Sequence, residues 1–135
     1  DYDGDLDIYL VNGGWYPIDT FSNSLFINSL SSNQWINLKL VGLESNRSAI
    51  GARIKLLSED SNGNQHSFFR TIGSGSSFGS NPFEELIAFS DHKLISVEIK
   101  WPSGKIGTFS SLESKKRYVI YENDNVELID LKLTK

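Results

Sequence analysis

Along most of this chain hydrophobic and polar positions alternate with a period of two. Trp35-Ile36-Asn37-Leu38-Lys39-Leu40-Val41 sets Ile36, Leu38 and Leu40 on one face and Asn37 and Lys39 on the other. Successive side chains on extended backbone point to opposite sides, so this spacing predicts a strand with one buried face. Gly51 to Leu56 repeats it, sending Ala52, Ile54 and Leu56 inward and Arg53 and Lys55 to solvent. Leu94 to Trp101 alternates most cleanly, with Ile95, Val97, Ile99 and Trp101 opposed to Ser96, Glu98 and Lys100. Shorter strands are expected at Leu6 to Val11, Ser24 to Ile27, Gln65 to Ile72, Lys105 to Phe109, Tyr118 to Tyr121 and Val126 to Leu133. Turn-forming runs separate them: Asn12-Gly13-Gly14, Ser61-Asn62-Gly63-Asn64, Pro102-Ser103-Gly104 and Glu122-Asn123-Asp124-Asn125. Gly73 to Pro82 is too rich in Gly and Ser for a regular element, and Trp15 to Asn33 holds no sustained period. Nowhere do ten residues keep a helical period. Strands spaced by roughly 8–12 residues predict an all-β, antiparallel β-sandwich, or a barrel-like variant of it.

Composition narrows the function classes. The chain has 135 residues, 39% of them apolar and 22% charged, with no Cys and no Met. Absent Cys removes disulfides, Cys-ligated zinc and thiol nucleophiles. Absent Met indicates a piece of a longer or processed protein. No apolar run reaches the roughly 18 residues that would cross a bilayer as a helix. The net charge of −4 comes from the four acids of Asp1 to Asp7, because beyond residue 7 acids and Lys plus Arg balance at 13 each. Nucleic acid is therefore not expected as a partner, since no cationic surplus offsets phosphate charge.

Three candidate sites follow from residue types. Asp1-Tyr2-Asp3-Gly4-Asp5-Leu6-Asp7 has the grammar of a calcium loop, in which hard cations gather carboxylate and carbonyl oxygens around a Gly-permitted turn. Placing Gly4 at the sixth position of D-x-D-x-D-G-x-x-D puts Asp1, Asp3 and Asp7 on carboxylate positions and Asp5 on the carbonyl position, with the first ligand upstream of residue 1. Phe68-Phe69 cannot send both rings into one core from a regular strand, so one of them, with Trp15, Tyr16 and Phe78, is a candidate stacking surface for sugar rings or bases. The loop residues Ser77, Phe78 and Asn81 join that candidate ligand-binding set. Asn46-Arg47-Ser48 is a glycosylation sequon.

Other patterns point away from catalysis. Gly75-Ser76-Ser77-Phe78-Gly79 fits the nucleophile-elbow spacing, but Ser80-Asn81-Pro82 cannot open the helix that motif needs. His66 and His92, the only imidazoles, lack metal-ligand spacing. The adjacent acids Glu84 and Glu85 would diverge to opposite faces of a strand.

Trp35 to Gly42, then Ser45-Asn46-Arg47, Ile50-Gly51-Ala52-Arg53 and Val97-Glu98-Ile99-Lys100-Trp101-Pro102-Ser103-Gly104 together resemble the ASPIC/UnbV domain over about half the chain. Asp1 to Val11 resembles the tail of an FG-GAP/VCBS repeat, a calcium-carrying β-propeller blade that commonly precedes such domains. After Gly73 the family pattern is not kept: its Ser-Gln-Asn stretch and its His-Phe-Gly-Leu-Gly are replaced by Ser77 to Pro82 and by Ala88-Phe89-Ser90-Asp91. Of the charged matching positions, Arg47 and Arg53 are the candidates for a ligand, since a guanidinium fork clamps carboxylates, sugars or phosphates, or forms an ion pair within the fold.

The resemblance implies three segments: residues 1–14 as the repeat tail, 15–34 as connector and 35–135 as the sandwich. It further implies an extracellular or cell-surface location, calcium in the intact protein and upstream propeller repeats as a partner. The function expected is non-enzymatic recognition or adhesion toward a glycan or protein, with Asn46, Arg47, Arg53, Phe69, Ser77, Phe78 and Asn81 at the contact. The rival expectations are an accessory domain of a glycan- or natural-product-modifying enzyme, marked by a pocket at His66 or His92 plus a carboxylate, and nucleic-acid binding.

Overall fold

The computed structural model describes residues 5–14, 16, 18, 20–28, 34–75 and 82–129. Ten strands carry the described fold: β1 (Ile8–Leu10), β2 (Ser24–Phe26), β3 (Trp35–Val41), β4 (Arg53–Glu59), β5 (Gln65–Thr71), β6 (Glu84–Ala88), β7 (Lys93–Lys100), β8 (Ile106–Phe109), β9 (Lys116–Tyr121) and β10 (Val126–Ile129). β1 and β2 pair as a small antiparallel ribbon, and the other eight form two sheets ordered β10-β9-β3-β6 and β5-β4-β7-β8. The result is a sandwich, not a closed barrel. One pairing departs from the antiparallel expectation: β3 runs parallel to β9, with Leu38 opposite Tyr118 and Leu40 opposite Ile120. No helix among the described residues is long and apolar enough to cross a membrane.

The alternating positions meet between the sheets. Ile36, Leu38, Leu40, Ile87, Tyr118 and Ile120 face inward from the first sheet and Ile54, Leu56, Val97, Ile99 and Phe109 from the second, all buried. Each such aliphatic or aromatic side chain stabilises the fold by about 1.5–3 kcal/mol. Trp101, Phe89, Ile72, Ala49 and Ala52 are buried within the same cluster. Trp101 leads into the β7–β8 turn, where Gly104 holds a φ of 94° that a side chain would strain.

Two elements differ from the sequence expectation. β6 was not expected, because Glu84-Glu85 opens it and Leu86-Ile87-Ala88 does not alternate; its register sets Ile87 against Ile36 and so places Ile87 in the core. The register between β4 and β7 shifts at Leu57/Ser58, so that Ser58 faces Leu94 and Ile95 has no opposite residue. This bulge makes Leu94, and not Ile95, the residue that packs against the core below Val97.

Candidate functional site

The outward face of the second sheet forms a grid of exposed and half-buried side chains. In one row Phe69 of β5, Lys55 of β4, Glu98 of β7 and Thr108 of β8 stand opposite one another; in the next, Thr71, Arg53, Lys100 and Ile106 do. The Phe68-Phe69 pair resolves as the period of two requires. Phe68 packs against the core, whereas Phe69 is 66% exposed. Phe69 and Arg53 are thus brought onto one rigid surface, as diagonal neighbours about 7–8 Å apart.

Asn46 and Arg47 lie elsewhere, in the β3–β4 loop at one end of the sandwich. The Asn46 amide closes that loop on itself: its Oδ1 accepts the Ile50 N–H at 2.9 Å and its Nδ2 donates to the Ile50 carbonyl at 2.9 Å. Arg47 is exposed and sits near the Tyr121 phenol, whose pKa burial pushes up while the guanidinium acts against that rise. The loop is held by a residue that sequence reading passed over as an ordinary turn acid. Glu122, 2% exposed, receives three successive backbone N–H groups on one oxygen, from Leu43, Glu44 and Ser45 at 2.6–2.8 Å. Its other oxygen accepts the hydroxyls of Ser45 and Ser103, each at 2.6 Å. Converging N–H groups of this kind form a backbone nest that binds anions, and here the chain supplies its own. Burial pushes the Glu122 carboxyl up, but the hydrogen bonds from Ser103 and Ser45 outweigh it and hold the pKa at about 2. A side chain at Gly42 would place its Cβ 2.2 Å from the Asn46 carbonyl oxygen, so only glycine lets the loop wrap this tightly.

The opposite end carries an open cleft of about 390 Å³, lined among others by Gln34, Asp91, His92, Lys93 and Glu113. Beside it the two histidines, 26 positions apart in sequence, stack with ring centroids 4.5 Å apart and planes tilted by 34°. His92 Nδ1 is 3.1 Å from the buried Ser58 Oγ, and His66 Nε2 is 3.2 Å from Asp60 Oδ2. Hydrogen bonds from Asn64, its side chain first, hold the Asp60 carboxyl well below the usual range. Neither histidine's place was legible from spacing, because it depends on the β4–β5 and β6–β7 turns meeting. His92→Ala is expected to destabilise the fold by about 1–3 kcal/mol, since it strips the buried Ser58 hydroxyl of that partner. Urea titration of H92A, S58A and the double variant checks this: losses that simply add would show that the two groups are not coupled.

Glu84 and Glu85 diverge as their strand requires. Glu84 pairs with Arg117 at 2.7 Å on the outer face of the first sheet. Glu85, opposite Leu38, has its pKa raised by burial, with the Arg70 charge partly opposing. They do not converge as an acid/base pair.

In the expected calcium loop, Asp5 has both carboxylate oxygens shielded from solvent, and Asp7 Oδ1 accepts the Asn28 N–H at 2.9 Å. Carboxylate oxygens such as these suit a hard cation in chemistry. Asp1 and Asp3 lie outside the described residues, as do Trp15, Ser77, Phe78 and Asn81 of the expected ligand surface. Among the described residues no three His, Cys, Asp or Glu side chains converge as metal ligands.

A family model described as ASPIC and UnbV matches residues 42–127, from the glycine of the Glu122 loop into β10. No curated protein matches the chain significantly.

Proposed function

Because the chain belongs to the ASPIC and UnbV family, we propose that it serves as a non-enzymatic recognition or adhesion module of an extracellular or cell-surface calcium-binding repeat protein, and that its ligand is a glycan. In this reading residues 1–14 end a propeller repeat, Asp1, Asp3, Asp5 and Asp7 help to hold calcium in the intact protein, and the sandwich presents the ligand face. The observation that carries it is Phe69, an aromatic ring exposed on a rigid strand and surrounded by the hydrogen-bonding side chains of Lys55, Arg53 and Thr71. A sugar's C–H face packs on an aromatic ring while its hydroxyls reach neighbouring donors and acceptors. Among the described residues of this face Phe69 is the one exposed aromatic, set among mainly polar groups, which fits that task better than a protein interface, whose centre clusters several anchors.

Phe69→Ala is expected to weaken glycan binding about tenfold or more while leaving the melting temperature within a few degrees, because Phe69 contributes little to the core. Screening the wild type and F69A on a glycan array, with a pull-down on the full-length protein, checks this. Blank results in both would end the recognition reading.

One observation favours a second reading, an accessory domain of a glycan- or natural-product-modifying enzyme. The cleft sets His92 beside Asp91 and Glu113, groups that suit proton transfer. Turnover of a glycan substrate that H92A and E113Q both abolish would support it.

A further inference from the structure

Arg53 and Lys100 stand directly opposite each other on β4 and β7, both exposed. Like charges in this cross-strand position repel. Elsewhere on the molecule acids meet cations: Arg117 with Glu84 and Lys105 with Asp124. On this face Glu98 lies opposite Lys55 and Glu59 opposite Lys93. No carboxylate among the described residues lies within ion-pair distance of Arg53 or Lys100. Two cations are therefore held side by side with no ion-pair partner among the described residues, one row away from the exposed ring of Phe69 and from Glu98, in a chain whose net charge is −4.

We infer that the face recognises the anionic group of a charged glycan, a carboxylate or a sulfate ester, clamped between Arg53 and Lys100 while a sugar ring lies on Phe69. This rests on the glycan reading above and adds the substrate class. The geometry suits it. Phe69 and Arg53 are diagonal neighbours, with backbones about 7–8 Å apart, so a sugar ring lying on Phe69 brings an acidic substituent of the neighbouring ring within the sweep of the long Arg53 side chain. Arg supplies a planar fork that takes two oxygens of a carboxylate or sulfate at once, and Lys adds a point charge from the other side. The bound anion also relieves the Arg53–Lys100 repulsion, so charge complementarity works in both directions. Because only one cation pair is engaged, binding depends on where the anion sits relative to the ring and not on total charge.

The test is calorimetric titration of the full 135-residue chain, wild type, F69A and R53Q/K100Q, with three tetrasaccharides and a short DNA duplex. Tetragalacturonate carries carboxylates alone, a sulfated galactan tetrasaccharide sulfates alone, and cellotetraose neither. The expected result is that at least one acidic tetrasaccharide binds about tenfold or more tighter than cellotetraose. R53Q/K100Q removes that preference, F69A weakens every glycan, and the two acidic arms show which anion is preferred. If cellotetraose binds as tightly as both acidic probes, or if R53Q/K100Q keeps the preference, the anion assignment is overturned while the glycan reading stands. If no tetrasaccharide binds, the glycan reading itself fails. If the duplex competes as well as the acidic glycans, the attraction is general to polyanions and the inference is overturned.

Discussion

Replacing Glu122 with alanine is expected to destabilise the domain by about 3–5 kcal/mol, the range seen when one member of a buried charged network is deleted. Three backbone N–H groups and two hydroxyls converge on its carboxylate, and alanine leaves all five without that acceptor. The donors belong to two chain segments, the β3–β4 loop and the β7–β8 turn, and Glu122 ties both to a third, the β9–β10 turn. Lys105 adds a fourth tie, donating its ammonium to the Glu122 carbonyl and pairing with Asp124 at 2.9 Å. The deletion therefore frees one whole end of the sandwich, and cooperative loss exceeds that of a single hydrogen bond.

The same residue sets an acid limit. Its pKa falls from an ordinary 4.5 to about 2 on folding. A carboxyl depressed in the folded state contributes stability that is complete above its unfolded pKa and disappears as pH falls through the folded one. The window for Glu122 is thus roughly pH 5 down to 2. Glu122→Gln retains the shape and an acceptor for the three amides but donates toward the two serine hydroxyls. It is expected to lie between wild type and E122A at pH 7 and to lose less stability on acidification. Urea midpoints measured from pH 7 to pH 2.5 check both statements. An E122Q protein whose stability falls as steeply as the wild type's would show that another carboxyl sets the limit, and Asp60, also depressed by its hydrogen bonds, would be next to examine.

What could be read in the sequence is what a period of two encodes. β3, β4 and β7 announce their inward residues because each has one buried face, and those residues are the core. The outward member of Phe68-Phe69 followed from the same rule once Phe68 was seated inside. β6 escaped because it is a short edge strand whose two leading acids satisfy different demands, one an ion pair with Arg117 and the other a half-buried place near Arg70. The bulge at Ile95 escaped because a single extra residue changes the facing of Leu94 without altering the hydrophobic text. Glu122 and the stacked histidines escaped for a different reason. The backbone donors of Glu122 lie 77–79 positions away, and the partners of His92 lie 26 and 34 away, and only the meeting of turns at opposite ends of the sandwich brings them together. Arg53 was singled out for its chemistry, but its pairing with Lys100 required the register of β4 on β7.

The second large effect is expected at Trp101, where the size of the side chain and its polarity act in opposite directions. The indole is 1% exposed and lies in the core cluster with residues of both sheets. Trp101→Ala should cost about 3–5 kcal/mol, combining lost burial with a cavity that the surrounding strands cannot close. Trp101→Phe removes less volume, and it also removes the indole N–H, which is buried with no hydrogen-bond partner among the described residues. A buried unpaired donor is itself unfavourable by about 1–3 kcal/mol, so its loss offsets part of the smaller cavity. W101F is accordingly expected to cost no more than about 1–2 kcal/mol. Guanidinium titrations with an unchanged slope would attribute the differences to folded-state packing. If W101F proved as damaging as W101A, the N–H would have to contribute to stability, and the indole's place in the sandwich would need to be read as a polar contact and not as filled volume.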